Sequence, residues 1–154
     1  MKKNLKVIIL ILAMSIIGIW VLSKIPFESD INQTITAKIY KDGVIVQDTT
    51  VIINGARSNY IFADEQYYEG QFIVEYYERT SREGMKANIK WNEEFEEARI
   101  LYHQNATFPS LEINHELLIN KEMKDFALGL QDGTIIATSD EMYQNYLESI
   151  NPSK

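Results

Sequence analysis

The chain contains no cysteine. That excludes a disulfide framework, a thiolate metal site, a cysteine nucleophile and a lipidated N-terminal cysteine. It is also short of positive charge once its first 24 residues are set aside. Those residues hold Lys2, Lys3, Lys6 and Lys24 and no acid, so residues 25–154 carry a net charge of −11. A surface of that sign repels phosphate backbones and anionic lipid, so a nucleic-acid partner is not expected. Glycine-rich phosphate loops, a Gly-x-Ser-x-Gly elbow and the His-Glu-x-x-His pattern are absent too, which removes the motifs that would name a nucleotide site, a serine hydrolase or a zinc protease. No cofactor is expected. The excess of Ile over Leu and of Lys over Arg reads as the coding bias of an AT-rich genome, as in a low-GC Gram-positive bacterium.

What is present begins with one long apolar run. Val7 to Leu22 is 16 residues without a charge. Val7, Ile8, Ile9, Leu10, Ile11, Leu12, Ile16, Ile17, Ile19, Trp20, Val21 and Leu22 would form the apolar wall of a helix. A helix from Leu5 to Ile25 would reach about 30 Å, one hydrocarbon thickness. Lys6 and Lys24 would snorkel at its ends, and Trp20 would sit at an interface. The lysines before the run place the N-terminus in the cytoplasm and the rest outside. The expectation is a single-pass membrane anchor over residues 1–25, with the lipid bilayer as its partner. The alternative is a cleaved signal peptide, whose apolar region is normally about 7–15 residues and ends in a small-x-small site. Val21-Leu22-Ser23 is a poor site of that kind.

Residues 26–32, "PFESDIN", read as a short polar stalk, and residues 33–150 as one extracytoplasmic domain with a tail at 151–154. From Thr34 the apolar period becomes two, the mark of a half-buried strand. Ile35, Ala37 and Ile39 share a face, and so do Val51 and Ile53. Met85, Ala87, Ile89 and Trp91 alternate cleanly with Lys86, Asn88 and Lys90. "GQFIVEYYER" is expected to run as one strand with Phe72, Val74 and Tyr76 on one face. Asp42-Gly43, Asn54-Gly55 and Asp132-Gly133 read as hairpin turns, because glycine tolerates positive φ. "NEEFEE" suits a hairpin loop or a short helix capped by Asn92. The chain closes with an amphipathic helix carrying Met142, Tyr143, Tyr146, Leu147 and Ile150 on one stripe, with Thr138 as N-cap and Glu141 completing a capping box. The fold class expected is therefore mainly β: an antiparallel sandwich of about eight or nine short strands with a C-terminal helix.

Two groups of residues suggest sites. His103 and His115, with Glu112 and Glu116 nearby, could be drawn as a metal centre, but their spacing fits no ligand pattern, and surface or turn histidines are the simpler reading. The glutamates at 93, 94, 96 and 97 read as a solvated charged loop rather than a calcium site. The positive hint is aromatic. Tyr67, Tyr68, Tyr76 and Tyr77, with Arg79, cluster around one region, and exposed tyrosines give rigid contact area with a polar tip. Strand propensity also produces tyrosines, and neighbours on a strand point to opposite faces. The functional expectation is a non-catalytic interaction or accessory module with a protein partner at the membrane. A cell-wall glycan-binding module is the alternative, and a secreted domain after signal cleavage the next.

Overall fold

The computed structural model describes residues 2–60, 66–91, 97–104 and 112–151. A helix, α1 (Lys2–Leu22), is followed by eight strands: β1 (Phe27–Lys41), β2 (Val44–Asn59), β3 (Gln66–Val74), β4 (Met85–Trp91), β5 (Glu97–Gln104), β6 (Glu112–Ile119), β7 (Phe126–Gly129) and β8 (Ile135–Ala137). A second helix, α2 (Asp140–Ile150), ends the fold. Each strand pairs antiparallel with the next, and β8 pairs with β1 through Lys38–Tyr40 and Ile135–Ala137. The strands therefore form a closed barrel and not the two-sheet sandwich expected. Closure removes sheet edges that a sandwich leaves open.

Strand alternation sets the interior. The inward positions of β4 are Met85, Ala87, Ile89 and Trp91, all buried, as the alternation predicts. Tyr68, Phe72, Tyr102 and Phe126 join them, with the Phe72 and Phe126 rings edge-on at 5.3 Å. Eight strands leave an interior about wide enough for side chains to fill. β7 and β8 are buried on both faces, because α2 covers their outer side. There Tyr40 stacks on Tyr143 with centroids 4.0 Å apart and donates to Asp140 at 2.6 Å.

Turn chemistry explains most of the connections. Asp42 and Gly43 both have positive φ, 51° and 80°, as a two-residue hairpin turn requires. Asp132 accepts the Thr134 N–H at 3.0 Å beside Gly133 at φ 82°, closing the β7–β8 turn. Asn54-Gly55 is not a turn. It lies within β2, where Gly55 pairs with Gly70 of β3. Two facing glycines let the backbones approach where the Tyr68 hydroxyl sits above them. β3 ends at Val74, so Tyr76 and Tyr77 leave the strand. The buried Thr80 terminates it, its hydroxyl oxygen accepting from the Val74 N–H at 2.9 Å. The α2 cap is Ser139, which accepts the Met142 N–H at 3.1 Å. Thr138 is instead committed to β7, where its hydroxyl oxygen accepts from the Phe126 N–H at 3.1 Å.

The N-terminal expectations change most. Residues read as a stalk belong to β1: Phe27–Asn32 pair with Asn54–Asn59. α1 stops at Leu22, and the Ile25 N–H bonds the Leu22 carbonyl in a closing turn, so Ile25 does not extend the helix. Among the described residues no helix is long and apolar enough to cross a membrane. The expected spanning anchor over Val7–Leu22 is thus not supported. Its uncharged run is about 24 Å at 1.5 Å per residue, short of a hydrocarbon core of about 30 Å. The side chains from Val7 to Leu22 are exposed on all sides of the helix.

Candidate functional site

The tyrosines do not form one patch. Tyr67 points outward from β3 and Tyr68 inward, where it is buried and donates to the Gln71 carbonyl at 2.8 Å. Tyr76 lies nine residues beyond Tyr67, half-buried, with the Lys41 ammonium 5.5 Å above its ring. Tyr77 packs against the interior cluster, its ring edge-on to His115 at 5.7 Å. Arg79 is exposed on the 3-10 turn Glu78–Ser81. Strand alternation separates the first pair, and the end of β3 separates the pairs from each other.

The histidines are also parted. His115 shares the inward parity of Leu117 and Ile119 and is buried, which corrects the expected surface or turn placement. Glu116 points out. His115 and Glu116, two of the residues drawn as a metal centre, therefore lie on opposite faces of the wall. Glu93, Glu94 and Glu96 lie outside the described residues with the rest of positions 92–96, whereas Glu97, the last residue of "NEEFEE", opens β5.

His115 faces the Tyr77 and Tyr102 rings, and its Nε2 has no hydrogen-bond partner. Burial lowers its pKa first, the Gly129 backbone raises it, Arg79 lowers it and Asp132 raises it; the net direction is down. The linkage has a clear sign. The unfolded chain takes up this proton near pH 6.5, whereas the folded chain resists until lower pH. Stability is full above about pH 6.5 and falls as pH drops toward the folded pKa. Denaturant unfolding above and below that value is expected to show the fall in the parent protein and a smaller one in His115→Phe. An equal fall in both would contradict this role.

The outer wall of β3–β5 presents the more open arrangement. A cleft of about 560 Å³ is lined by Tyr67, Glu69, Asn88, Lys90, Arg99 and Leu101, together with the Tyr68 and Ile89 segments between them. Comparison with known protein families, curated proteins and solved structures finds no match. Function must therefore be argued from this wall itself.

The register builds a row across the cleft. Tyr67 pairs with Lys90, Lys90 with Arg99, and Arg99 with Glu116 of β6. The Lys90 ammonium lies 5.3 Å from the Tyr67 ring centroid, and the Tyr60 ring meets Tyr67 edge-on at 6.4 Å. A second row runs Glu69, Asn88, Leu101. The Glu69 carboxylate bonds Lys86 at 2.8 Å, which holds its pKa low, with a smaller push from His103. The Asn88 Oδ1 is buried without a hydrogen-bond partner. Glu116 interacts with the Tyr146 hydroxyl, and burial followed by that carboxylate pushes the phenol up to about 12.

Of the aromatic site residues expected from sequence, this wall keeps only Tyr67. It adds Asn88, Lys90, Arg99 and Leu101. Alternation along "MKANIKW" puts Asn88 and Lys90 outward, but nothing local reveals that Arg99 is Lys90's neighbour.

Proposed function

We propose that this chain is an exported, non-catalytic binding module whose contact face is the outer wall of β3–β5. The observation that carries the reading is the cleft itself: an aromatic ring, two cations, an apolar side chain and a buried amide oxygen converge on one concave surface. Such a set binds and orients. Its one carboxylate, Glu69, is engaged by Lys86 and is poorly placed to act as a base. The barrel interior is occupied by large side chains, which directs recognition to the outside.

Export is supported by α1. Its apolar side chains need a nonpolar surrounding, and the barrel does not provide one. A lysine cluster followed by a 16-residue apolar run suits a segment that engages a membrane or its translocation machinery. The domain would then act outside the cytoplasm.

Site-specific photocrosslinking in cells tests the contact face. A photoreactive residue at Leu101 is expected to capture a partner, and one at Glu148, exposed on α2, is not. Equal capture from both positions would remove the reason for choosing this wall. Fractionation with determination of the mature N-terminal residue tests export; a full-length chain confined to the cytoplasm would refute it.

A further inference from the structure

We propose that residues 77–84, which carry the 3-10 turn between β3 and β4, form an acid-triggered lid over one end of the barrel, released when His115 takes up a proton. The inference is independent of the binding face. It also goes beyond the stability change argued for His115, because it names the part of the barrel that yields.

His115 is a bridge between two walls. On one side its ring meets Tyr77 edge-on at 5.7 Å and Tyr102 at 6.3 Å. On the other side the Gly129 backbone, at the end of β7, hydrogen-bonds the ring. The Nε2 atom is buried without a hydrogen-bond partner. A bare ring nitrogen tolerates that setting far better than an N–H carrying a positive charge, which requires an acceptor or water. The Tyr102 hydroxyl is already committed to the Phe72 carbonyl at 2.8 Å. A protonated His115 therefore needs water, and water needs one of the two walls to move.

The walls are unequal. β7 and β8 are buried on both faces, with α2 over them. Of residues 77–84 only Thr80 is buried. Its hydroxyl, bonded to the Val74 and Tyr77 backbone, pins the segment. The backbone bonds there are local: Tyr77 to Val74, Thr80 to Tyr77 and Met85 to Arg82. Few contacts are lost when such a segment opens. Charge points the same way. Arg79, on the 3-10 turn, disfavours a cation on His115, whereas Asp132, in the β7–β8 turn, favours one. The Thr134 N–H holds the Asp132 carboxyl below the usual carboxylate range, so it stays ionised in mild acid. The new cation is thus repelled by the lid and held by the turn. Tyr77 and Tyr102 complete the titratable groups facing the ring among the described residues, and phenols add no charge in acid. The closed form resists the proton because the ring is buried, and an opened, hydrated imidazole accepts it near pH 6.5. Closure is at full strength above that pH and weakens below it.

Native-state amide exchange on the full chain tests the lid, read as protection relative to an unstructured peptide at the same pH. The Tyr77 and Thr80 amides are expected to be less protected than the β4–β5 ladder at about pH 7.5. At about pH 5.5, roughly one unit below the free imidazole value, they should lose several-fold more protection, with a ceiling of about tenfold. His115→Phe should abolish that loss while His103 remains to titrate. Arg79→Gln should reduce it, because removing the repulsion eases proton uptake in the closed form. Arg79 is exposed, so this variant carries the test if His115→Phe does not fold. Lid amides as well protected as the β4–β5 ladder would show that the lid opens only with the whole barrel, and would overturn the proposal. So would protection that does not change with pH in the parent protein, or a loss that persists undiminished in both variants. A loss at the Leu130 amide, bonded to the Thr134 carbonyl, without one at Thr80 would put the movement on the opposite wall and overturn it as well.

Discussion

Replacing Gly55 or Gly70 by alanine is expected to cost the barrel about 3 kcal/mol or more, among the largest losses from any single methyl group in the fold. The two residues face each other across β2 and β3. A Cβ on Gly55 would stand 2.6 Å from the Gly70 Cα, closer still to the Glu69 carbonyl oxygen, and 2.9 Å from the Tyr68 hydroxyl. A Cβ on Gly70 would lie 2.5 Å from both the Asn54 carbonyl oxygen and the Gly55 Cα. The obstacles are mainly backbone, so no rotamer change relieves them. Tyr68 is fully buried and cannot move outward without opening the interior. The strands must separate, which weakens the ladder on both sides. Gly133→Ala does not serve as a control, because its φ of 82° makes alanine strained. Gly18→Ala does, since nothing lies within 4 Å of its Cβ position. Thermal unfolding should show a midpoint lowered by about 10 °C for either strand glycine and unchanged for Gly18→Ala. A fall of only a degree or two at Gly55 would contradict so close an approach of the two backbones.

The same glycine pair shows where sequence reading reaches its limit. Asn-Gly is a strong turn signal, but a glycine is also used where two backbones meet, and only the partner strand distinguishes these uses. Period-two patterning was sufficient for β4, whose four inward residues are all buried, and for the inward faces of β1 and β2. Helical spacing was likewise sufficient for the apolar stripe of α2, of which Met142, Tyr143 and Tyr146 are buried. Neither pattern could reveal closure. The pairing of Lys38–Tyr40 with Ile135–Ala137 joins segments nearly a hundred residues apart, and β8 is three residues long. A strand that short has too little sequence to identify its neighbour. Spacing that fits no ligand pattern leaves His115 as a surface or turn histidine, whereas its parity with Leu117 and Ile119 accounts for its burial. For the cleft, alternation yields outward residues on each strand separately. The Lys90–Arg99 neighbourhood depends on the register of β4 against β5, a tertiary property.

Trp91→Ala is expected to lose about 4 kcal/mol, and Trp91→Phe about 1–2 kcal/mol. Trp91 ends β4 at one mouth of the barrel and is almost wholly buried. Its indole N–H donates to the Ile119 carbonyl at 3.1 Å, at the point where β6 passes into the turn before β7. That turn folds inward. Met123 sits at φ 59° with its side chain fully buried, and its carbonyl accepts from the Gln33 amide at 2.8 Å. The Lys121 carbonyl accepts from Arg57. Trp91 therefore fills the mouth and fixes the segment that closes it. Alanine removes both contributions and leaves a cavity next to Met123; phenylalanine retains most of the volume and loses the hydrogen bond. Thermal unfolding should separate the two variants by several degrees. Amide exchange supplies a local readout. The Met123 N–H, bonded to the Asn120 carbonyl, and the Asn120 N–H, bonded to the Asp125 carbonyl, are expected to exchange much faster in Trp91→Ala. The Tyr143 N–H in α2, bonded to Ser139, reports only the global loss. If all three amides accelerated equally, Trp91 would support the barrel as a whole and would have no particular hold on the closing turn.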